Sequence, residues 1–213
     1  MPSMPGTGRL AEQIAFLVEI DQLKTVVRQN LIADGSRQEN TAEHSWHLAM
    51  CALILAEYAN EPIDVARVVN MLLVHDLVEI DAGDLFVYGT AEQMAAQEVN
   101  EQAAAQRIFG MLPVDQSARL QAVWEEFEAK ETPESKFAKA VDRVQPMLLN
   151  LASGGGSWER HGITADQPLA LINRTVPPGS TVLAEYAREV IRVSVEVGAL
   201  LPPVQNPTES PAT

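Results

Sequence analysis

Residues 71–84 read MLLVHDLVEIDAGD, an apolar run that leads directly into His75, Asp76, Glu79, Asp81 and Asp84. No other stretch restricts the fold as tightly. Met71, Leu72, Leu73 and Val74 belong in a core, yet moving even one ionised carboxylate away from water without a partner is costly. A fold that accepts this segment must therefore turn its polar face to solvent or gather something cationic beside it.

The surrounding pattern is helical. Apolar residues recur at helical spacing in GRLAEQIAFLVEIDQLKTVVRQN (8–30), at Ile14, Leu17 and Val18 and then Leu23, Val26 and Val27, which predicts one helix as far as Asn30. LIADGSRQEN reads as a loop with a DGS turn. Asn40 or Thr41 caps the next helix, with Glu43 completing a capping box. Asp64 caps a helix expected to run through VARVVNMLLVHDLVEI. Three more follow over 91–112, 115–130 and 132–153, the last opened by Thr132 with Pro133 at the first helical position. SGGGSWERHG reads as a connection, either an ordinary interhelical loop or a flexible lid carrying Trp158 and His161. A final helix follows VPPGS. With no strand alternation of useful length and no internal repeat, the expectation is one all-α domain of about seven helices over residues 9–201. Residues 1–8 and 202–213 are expected to be disordered.

Composition narrows the function. A net charge of −14 argues against a general binder of nucleic-acid polymers and against an anionic membrane surface. It leaves room for a small phosphorylated substrate, because a local cation dominates one pocket when screening acts over about 8 Å. No basic-then-apolar leader and no run of roughly 20 apolar residues is visible. Cys51 is the only cysteine, which fits a reducing compartment, and the cytoplasm is the expected location. His47 and Cys51 stand four residues apart, but no further cysteine supports a zinc site there.

Within HDLVE, rotation by about 100° per residue puts Glu79 between His75 and Asp76, while Val74, Leu77 and Val78 point elsewhere. Imidazole with carboxylates suits a divalent cation of intermediate hardness. Two distant residues strengthen that reading. His44 stands in the first turn of an earlier helix, and Asp142 lies in KFAKAVDRVQP on a late one, four residues before Pro146, where a kink is expected. His44, the His75–Asp76 pair and Asp142, each contributed by a separate helix, make a candidate set of two nitrogens and two oxygens.

EHSWHLAMCALILAEYA, MLLVHDLVEIDAGD and FAKAVDRVQPMLLN resemble the HD-domain metal-dependent phosphohydrolases, and within them the 5'-deoxynucleotidase-like branch. The likeness runs from about Leu17 to Gly162 and rests on the order and spacing of several motifs. It implies a helical HD-domain bundle with one divalent metal on His44, His75, Asp76 and Asp142. Manganese, cobalt, iron, nickel, zinc and magnesium are all compatible. It also implies Glu79 as the acid–base residue, Asp84 as a sugar or water contact with a share in the chemistry, and a homodimer. Arg28, in LKTVVRQN, matches the family's phosphate-holding arginine, and Arg37 is a further candidate for that role. A tryptophan follows that arginine in the related deoxynucleotidases; Gln29 stands here, which puts a 2'-deoxy preference in doubt.

The expected function is hydrolysis of nucleoside 5'-monophosphates. Alternatives are another phosphoester, such as a cyclic nucleotide or a triphosphate, and a non-catalytic, metal-stabilised module that senses a nucleotide. The chain lacks a clear basic triphosphate clamp and the extra histidines of a two-metal site. Glu79 and Asp84 speak against a purely structural metal, which needs only its four ligands.

Overall fold

Residues 6–204 are described by the computed structural model. Of the ends expected to be disordered, 1–8 and 202–213, residues 1–5 and 205–213 lie outside the described residues. The chain is mainly helical, as expected, and is organised around one long helix. Helix α1 (Arg9–Glu19) tightens into a 3-10 segment (Ile20–Thr25) and gives way to strand β1 (Val27–Leu31), which pairs antiparallel with β2 (Gln38–Asn40). Helices α2 (Thr41–Leu55), α3 (Val65–Val74), α4 (Glu79–Ala82), α5 (Ala91–Phe109), α6 (Val114–Ala129), α7 (Pro133–Ala152), α8 (Gly156–His161), α9 (Asp166–Thr175) and α10 (Thr181–Glu196) complete it.

The first helix is shorter than its periodicity predicts. Leu23 is buried within the 3-10 segment, whereas the β-branched Val26 and Val27 at the junction favour extended backbone, and Val27 is left 51% exposed. The expected loop is the hairpin that holds it. The Ser36 amide donates to Asp34 Oδ1 at 2.9 Å, Gly35 takes the left-handed φ of 74°, and the Ile32 amide donates to the Arg37 carbonyl at 3.0 Å. This small sheet carries Arg28 on one strand and Glu39 on the other.

Helix α7 is the spine. The Thr132 hydroxyl accepts from the Ser135 amide and Pro133 opens the first turn, as the sequence indicates. The helix continues through Pro146 to Ala152, and packs against α2, α3, α6, α8, α9, α10 and β1. Around it a first core collects Leu48, Met71, Leu72, Phe137, Val141, Trp158 and Ile191. A second core joins Phe16 and Leu23 to Ala105, Ile108, Phe109 and Trp124. Residues 71–84 lie on the seam: Met71 and Leu72 enter the first core, while Val74, Leu77 and Val78 enter the second. Their buried apolar residues are thus divided between two cores, and Asp76, Glu79 and Asp84 line one cavity beside them.

The glycine run is neither an open loop nor a lid. Gly154, Gly155 and Gly156 all take positive φ and form a tight corner into α8, whose Trp158 is buried in the first core. A Cβ on Gly156 would stand 2.7 Å from Asn150 Oδ1. That oxygen accepts from the Ser157 amide, the Ser157 hydroxyl and Asn30 Nδ2, tying α7, α8 and β1 together. Helix α9, also absent from the sequence reading, is short and carries Pro168 in its first turn, where proline is tolerated but weakens the helical signal.

Candidate functional site

The N-terminus of α2 is fixed by the expected capping box. Asn40 Oδ1 accepts from the Glu43 amide at 3.0 Å, and Glu43 Oε2 accepts from the Asn40 amide at 3.2 Å. One turn in, His44 is completely buried. The α3 helix does not continue through HDLVE as the rotation argument assumed: it tightens to 3-10 geometry over His75–Val78 before α4 begins at Glu79. A 3-10 turn closes in about three residues rather than 3.6, so the route differs from the expected one. The outcome is similar, with His75, Asp76 and Glu79 lining one cavity and Leu77 and Val78 in the core.

His44, His75 and Asp142 each present a ligand atom within 4.8 Å of the others. His44 Nε2 lies 3.3 Å from Asp142 Oδ1 and 3.9 Å from Asp76 Oδ2. His75 Nε2 lies 3.0 Å from Asp76 Oδ1 and 3.9 Å from Asp142 Oδ1. All four expected ligands therefore converge. The His75 ring places Nδ1 3.0 Å from the Leu72 carbonyl, which can only accept, so Nδ1 carries the proton and Nε2 presents its lone pair. That buried Nε2 has no hydrogen-bond partner and faces carboxylate oxygens. Lone pair against anion is unfavourable unless a cation lies between them. The residues thus fit a divalent metal of the kind that accepts mixed nitrogen and oxygen ligands.

The carboxylates divide into two kinds. Burial raises the Asp76 and Asp142 pKa values, but neighbouring cations outweigh it. With a proton in place of that metal on the imidazole nitrogens, His75, Arg28 and His44 hold Asp76 well below the usual range, and Lys139, Arg143 and the protonated histidines do the same for Asp142. Both remain ionised, as ligands must. Glu79 is pushed well above the ordinary range by burial and by Asp76 and Asp84, against the pull of Arg28 and a hydrogen bond from Thr41. Asp84 is raised by burial and by Asp76, against Arg28. Carboxyls whose environments separate them in this way are suited to different duties, charge in one pair and a proton in the other.

Arg28, which lies on β1 rather than on a helix, directs Nη1 into this group. It stands 3.1 Å from Asp76 Oδ2, 3.3 Å from Asp84 Oδ1 and 3.7 Å from Glu79 Oε1. The surrounding carboxylates overcome the effect of burial and raise its pKa, so it remains a cation. The cavity is about 450 Å³, and its lining includes Asn30, Phe86, Tyr88, Lys139 and Arg143. Gln29 also lines it, and Gln29 Oε1 lies 2.9 Å from His161 Nε2 on α8.

Arg37 is not brought to this cavity. It pairs with Glu43 at 2.7 and 2.8 Å on the exposed hairpin, so the surface ion pair, not a substrate contact, is what the structure contains. Asp81 is likewise turned outward, paired with Arg107. His47 Nδ1 lies 3.0 Å from Gln145 Nε2, an amide donor. Three residues escaped the sequence reading. Lys139 Nζ lies 2.9 Å from Asp142 Oδ2 and Arg143 Nη1 3.6 Å from it, so two cations brace the ligand oxygen turned away from the histidines. Their positions three before and one after Asp142 in KAVDR were the available signal. Glu39, in the expected loop, is buried with its carboxylate against His44.

Residues 20–181 match the family model described as HD domain. The 5'-deoxynucleotidase HDDC2 of Homo sapiens is 29% identical over 138 residues, covering 63% of this chain and 65% of that protein. The Bos taurus protein of the same name is 30% identical, with 67% and 68% covered. The chain thus spans about two thirds of the length of these relatives. A crystal structure of a predicted metal-dependent phosphohydrolase from Magnetospirillum magnetotacticum superposes with a TM-score of 0.83 at 49% identity, covering 91% of this chain and 99% of the other. An HD-domain phosphohydrolase from Listeria innocua, 17% identical with a TM-score of 0.63 and 86% and 90% covered, shares the fold.

Proposed function

The chain belongs to the HD-domain family, and from that premise we propose that it is a metal-dependent phosphomonoesterase that removes phosphate from nucleoside 5'-monophosphates, deoxy forms among them. The observation that carries the reading is the convergence in one cavity of His44, His75, Asp76 and Asp142 with the Arg28 guanidinium, whose Nη1 stands 3.1 Å from Asp76 Oδ2 and 3.3 Å from Asp84 Oδ1. A single divalent ion on His44, His75, Asp76 and Asp142 would supply Lewis acidity toward the phosphoryl oxygens and toward water.

The chain's own residues do the rest. Arg28 offers the phosphate a planar set of donors in a dry pocket. Glu79 or Asp84 orients the incoming water and delivers a proton to the departing 5'-oxygen as the phosphorus–oxygen bond breaks. Water contributes the new oxygen to phosphate, and the nucleoside leaves with a hydroxyl. Gln29, held by His161, lines the cavity with an amide at the position where the related deoxynucleotidases have a tryptophan, so that part of the wall is polar. We therefore expect ribonucleotides to be accepted beside deoxyribonucleotides.

The test is phosphate release from 5'-, 3'- and cyclic nucleotides after EDTA stripping and reloading with Mn²⁺, Co²⁺, Mg²⁺ or Zn²⁺. Release confined to 5'-monophosphates and restored by metal is the expected result. Cleavage of cyclic nucleotides instead, or metal uptake without turnover on any of them, would replace this reading with one of its alternatives.

We also propose a homodimer formed on α2. Among the described residues no helix is long and apolar enough to cross a membrane. Yet no Asp, Glu, Lys or Arg occurs between Glu43 and Glu57, and Trp46, Met50, Leu53 and Ile54 stand 64%, 41%, 53% and 68% exposed along that helix. A contiguous apolar stripe of this kind marks an interaction surface. With a net charge of −14, two copies repel through their charged faces and approach most easily through an uncharged one. Light scattering should give a dimer for the wild type and a monomer for Trp46→Glu; a monomeric wild type would dispose of the interface. The unpaired Cys51 fits a cytoplasmic setting for this assembly.

A further inference from the structure

Arg28 Nε, Glu39 Oε2 and His44 Nδ1 are buried polar atoms without a hydrogen-bond partner. They lie beside one another. Glu39 Oε2 is 3.3 Å from His44 Nδ1 and 4.0 Å from Arg28 Nε. The other oxygen of the same carboxylate, Oε1, accepts from Gln145 Nε2 on α7 at 3.0 Å. Only 3% of Glu39 is exposed. A buried carboxylate needs donors, and here the nearest are the outer nitrogen of a candidate metal ligand and the guanidinium assigned to phosphate.

We propose that Glu39 is a positioning residue that couples the two halves of the site. Its Oε2 accepts from His44 Nδ1–H, which fixes the tautomer and turns the Nε2 lone pair toward Asp142 and Asp76. The same oxygen holds Arg28 through Nε, so that the Nη groups face the cavity. Gln145 clamps the carboxylate from α7, the helix that carries Asp142, so that a ligand on α2, a ligand on α7 and the arginine on β1 share one register. Carboxylates behind metal-bound histidines set ligand orientation and basicity, and losing one lowers metal affinity by about 10–100-fold. The second attachment, to Arg28, is particular to this arrangement. It predicts that Glu39 acts on substrate affinity as well as metal affinity. The inference rests on the phosphohydrolase reading, and the measurement must separate the two.

Glu39→Gln keeps the shape but leaves one neutral acceptor oxygen where three donors, on Gln145, His44 and Arg28, face the carboxylate. Equilibrium dialysis of Zn²⁺ and Mn²⁺ against the full-length wild type and the variant is expected to show affinity lower by ~10–100-fold in Glu39→Gln. Excess metal should then restore most of kcat while KM for the nucleotide stays raised, a split that a general loss of packing does not produce. Glu39→Asp retains the charge and should recover part of the metal affinity; it carries the comparison if Glu39→Gln fails to fold. Unchanged affinity in whichever variant folds, beside tight uptake by the wild type, would overturn the role of Glu39 and leave the metal centre intact. A wild type that takes up neither metal would overturn both.

Discussion

Asp76→Ala should remove phosphate release by ~10³-fold or more, because a lost metal ligand forfeits several kcal/mol of transition-state stabilisation, while its metal-free fold remains as stable as the wild type. Asp142→Ala should lose activity just as completely and the fold as well. The difference lies in what each carboxylate leaves behind. Asp76 lines the cavity with 14% of its side chain exposed, and without it Arg28 still has Asp84 at 3.3 Å and Glu79 at 3.7 Å. Asp142 is 5% exposed and sits between Lys139, Arg143, His44 and His75. Removing it strands two cations on the central helix, and breaking a buried pair costs about 3–5 kcal/mol. In a protein of this length that corresponds to a melting temperature lower by about 6–20 °C. Melting curves of EDTA-stripped protein, repeated with metal, check both claims. The wild type alone should gain stability from the ion, since only it retains all four ligands. Equal destabilisation of the two variants would mean that Asp76 is structural, and a metal-induced rise in Asp76→Ala would remove it from the ligand set.

The cluster of His44, His75, Asp76 and Asp142 was legible in the sequence because each stands in a segment whose helical phase is strong. His44 follows a capping box, Asp142 lies in a helix with Thr132 and Pro133 at its start, and the two acids flanking the HDLVE apolar pair demand a cation. The local geometry between them was not legible. Straight extrapolation at 3.6 residues per turn missed the 3-10 turn at His75–Val78, which depends on tertiary packing of Leu77 and Val78 into the second core. Arg28 was identified by its motif but placed on a helix, since Leu23, Val26 and Val27 keep helical spacing although the chain turns extended at Val26. Glu39 shows the limit most clearly. Nothing in LIADGSRQEN distinguishes a buried carboxylate from a turn acid; only the hairpin, which turns β2 back beside β1, carries it to His44. Arg37, two residues earlier on the same hairpin, faces outward to Glu43. The Gly154–Gly156 corner and α9 were hidden for a different reason, because glycine and proline there mark tight packing instead of an open loop.

Glu79→Gln should combine a large loss of function with a gain in stability. As the acid–base residue, Glu79 is expected to contribute ~10²–10⁴-fold to turnover, and glutamine cannot transfer the proton. Glutamine can still accept the hydrogen bond that the Thr41 hydroxyl gives to Glu79 Oε2 at 2.9 Å, and Arg28 keeps Asp76 and Asp84. What disappears is a buried carboxyl that folding makes harder to ionise. Burial, Asp76 and Asp84 raise its pKa in the folded protein well above the ordinary 4.5. Below that value both folded and unfolded chains hold the proton, and the group is indifferent to folding. Above it the unfolded chain releases the proton while the folded chain retains it or ionises at a penalty, so wild-type stability declines as pH rises through the window. The melting temperature of metal-free Glu79→Gln should therefore equal that of the wild type below pH 4.5 and exceed it increasingly as the pH rises above that value. A variant less stable than wild type throughout would show that the Glu79 charge is stabilising, through Arg28, and not strained. Activity retained alongside the stability gain would move the proton-transfer role to Asp84, the other carboxyl that this environment keeps from ionising readily.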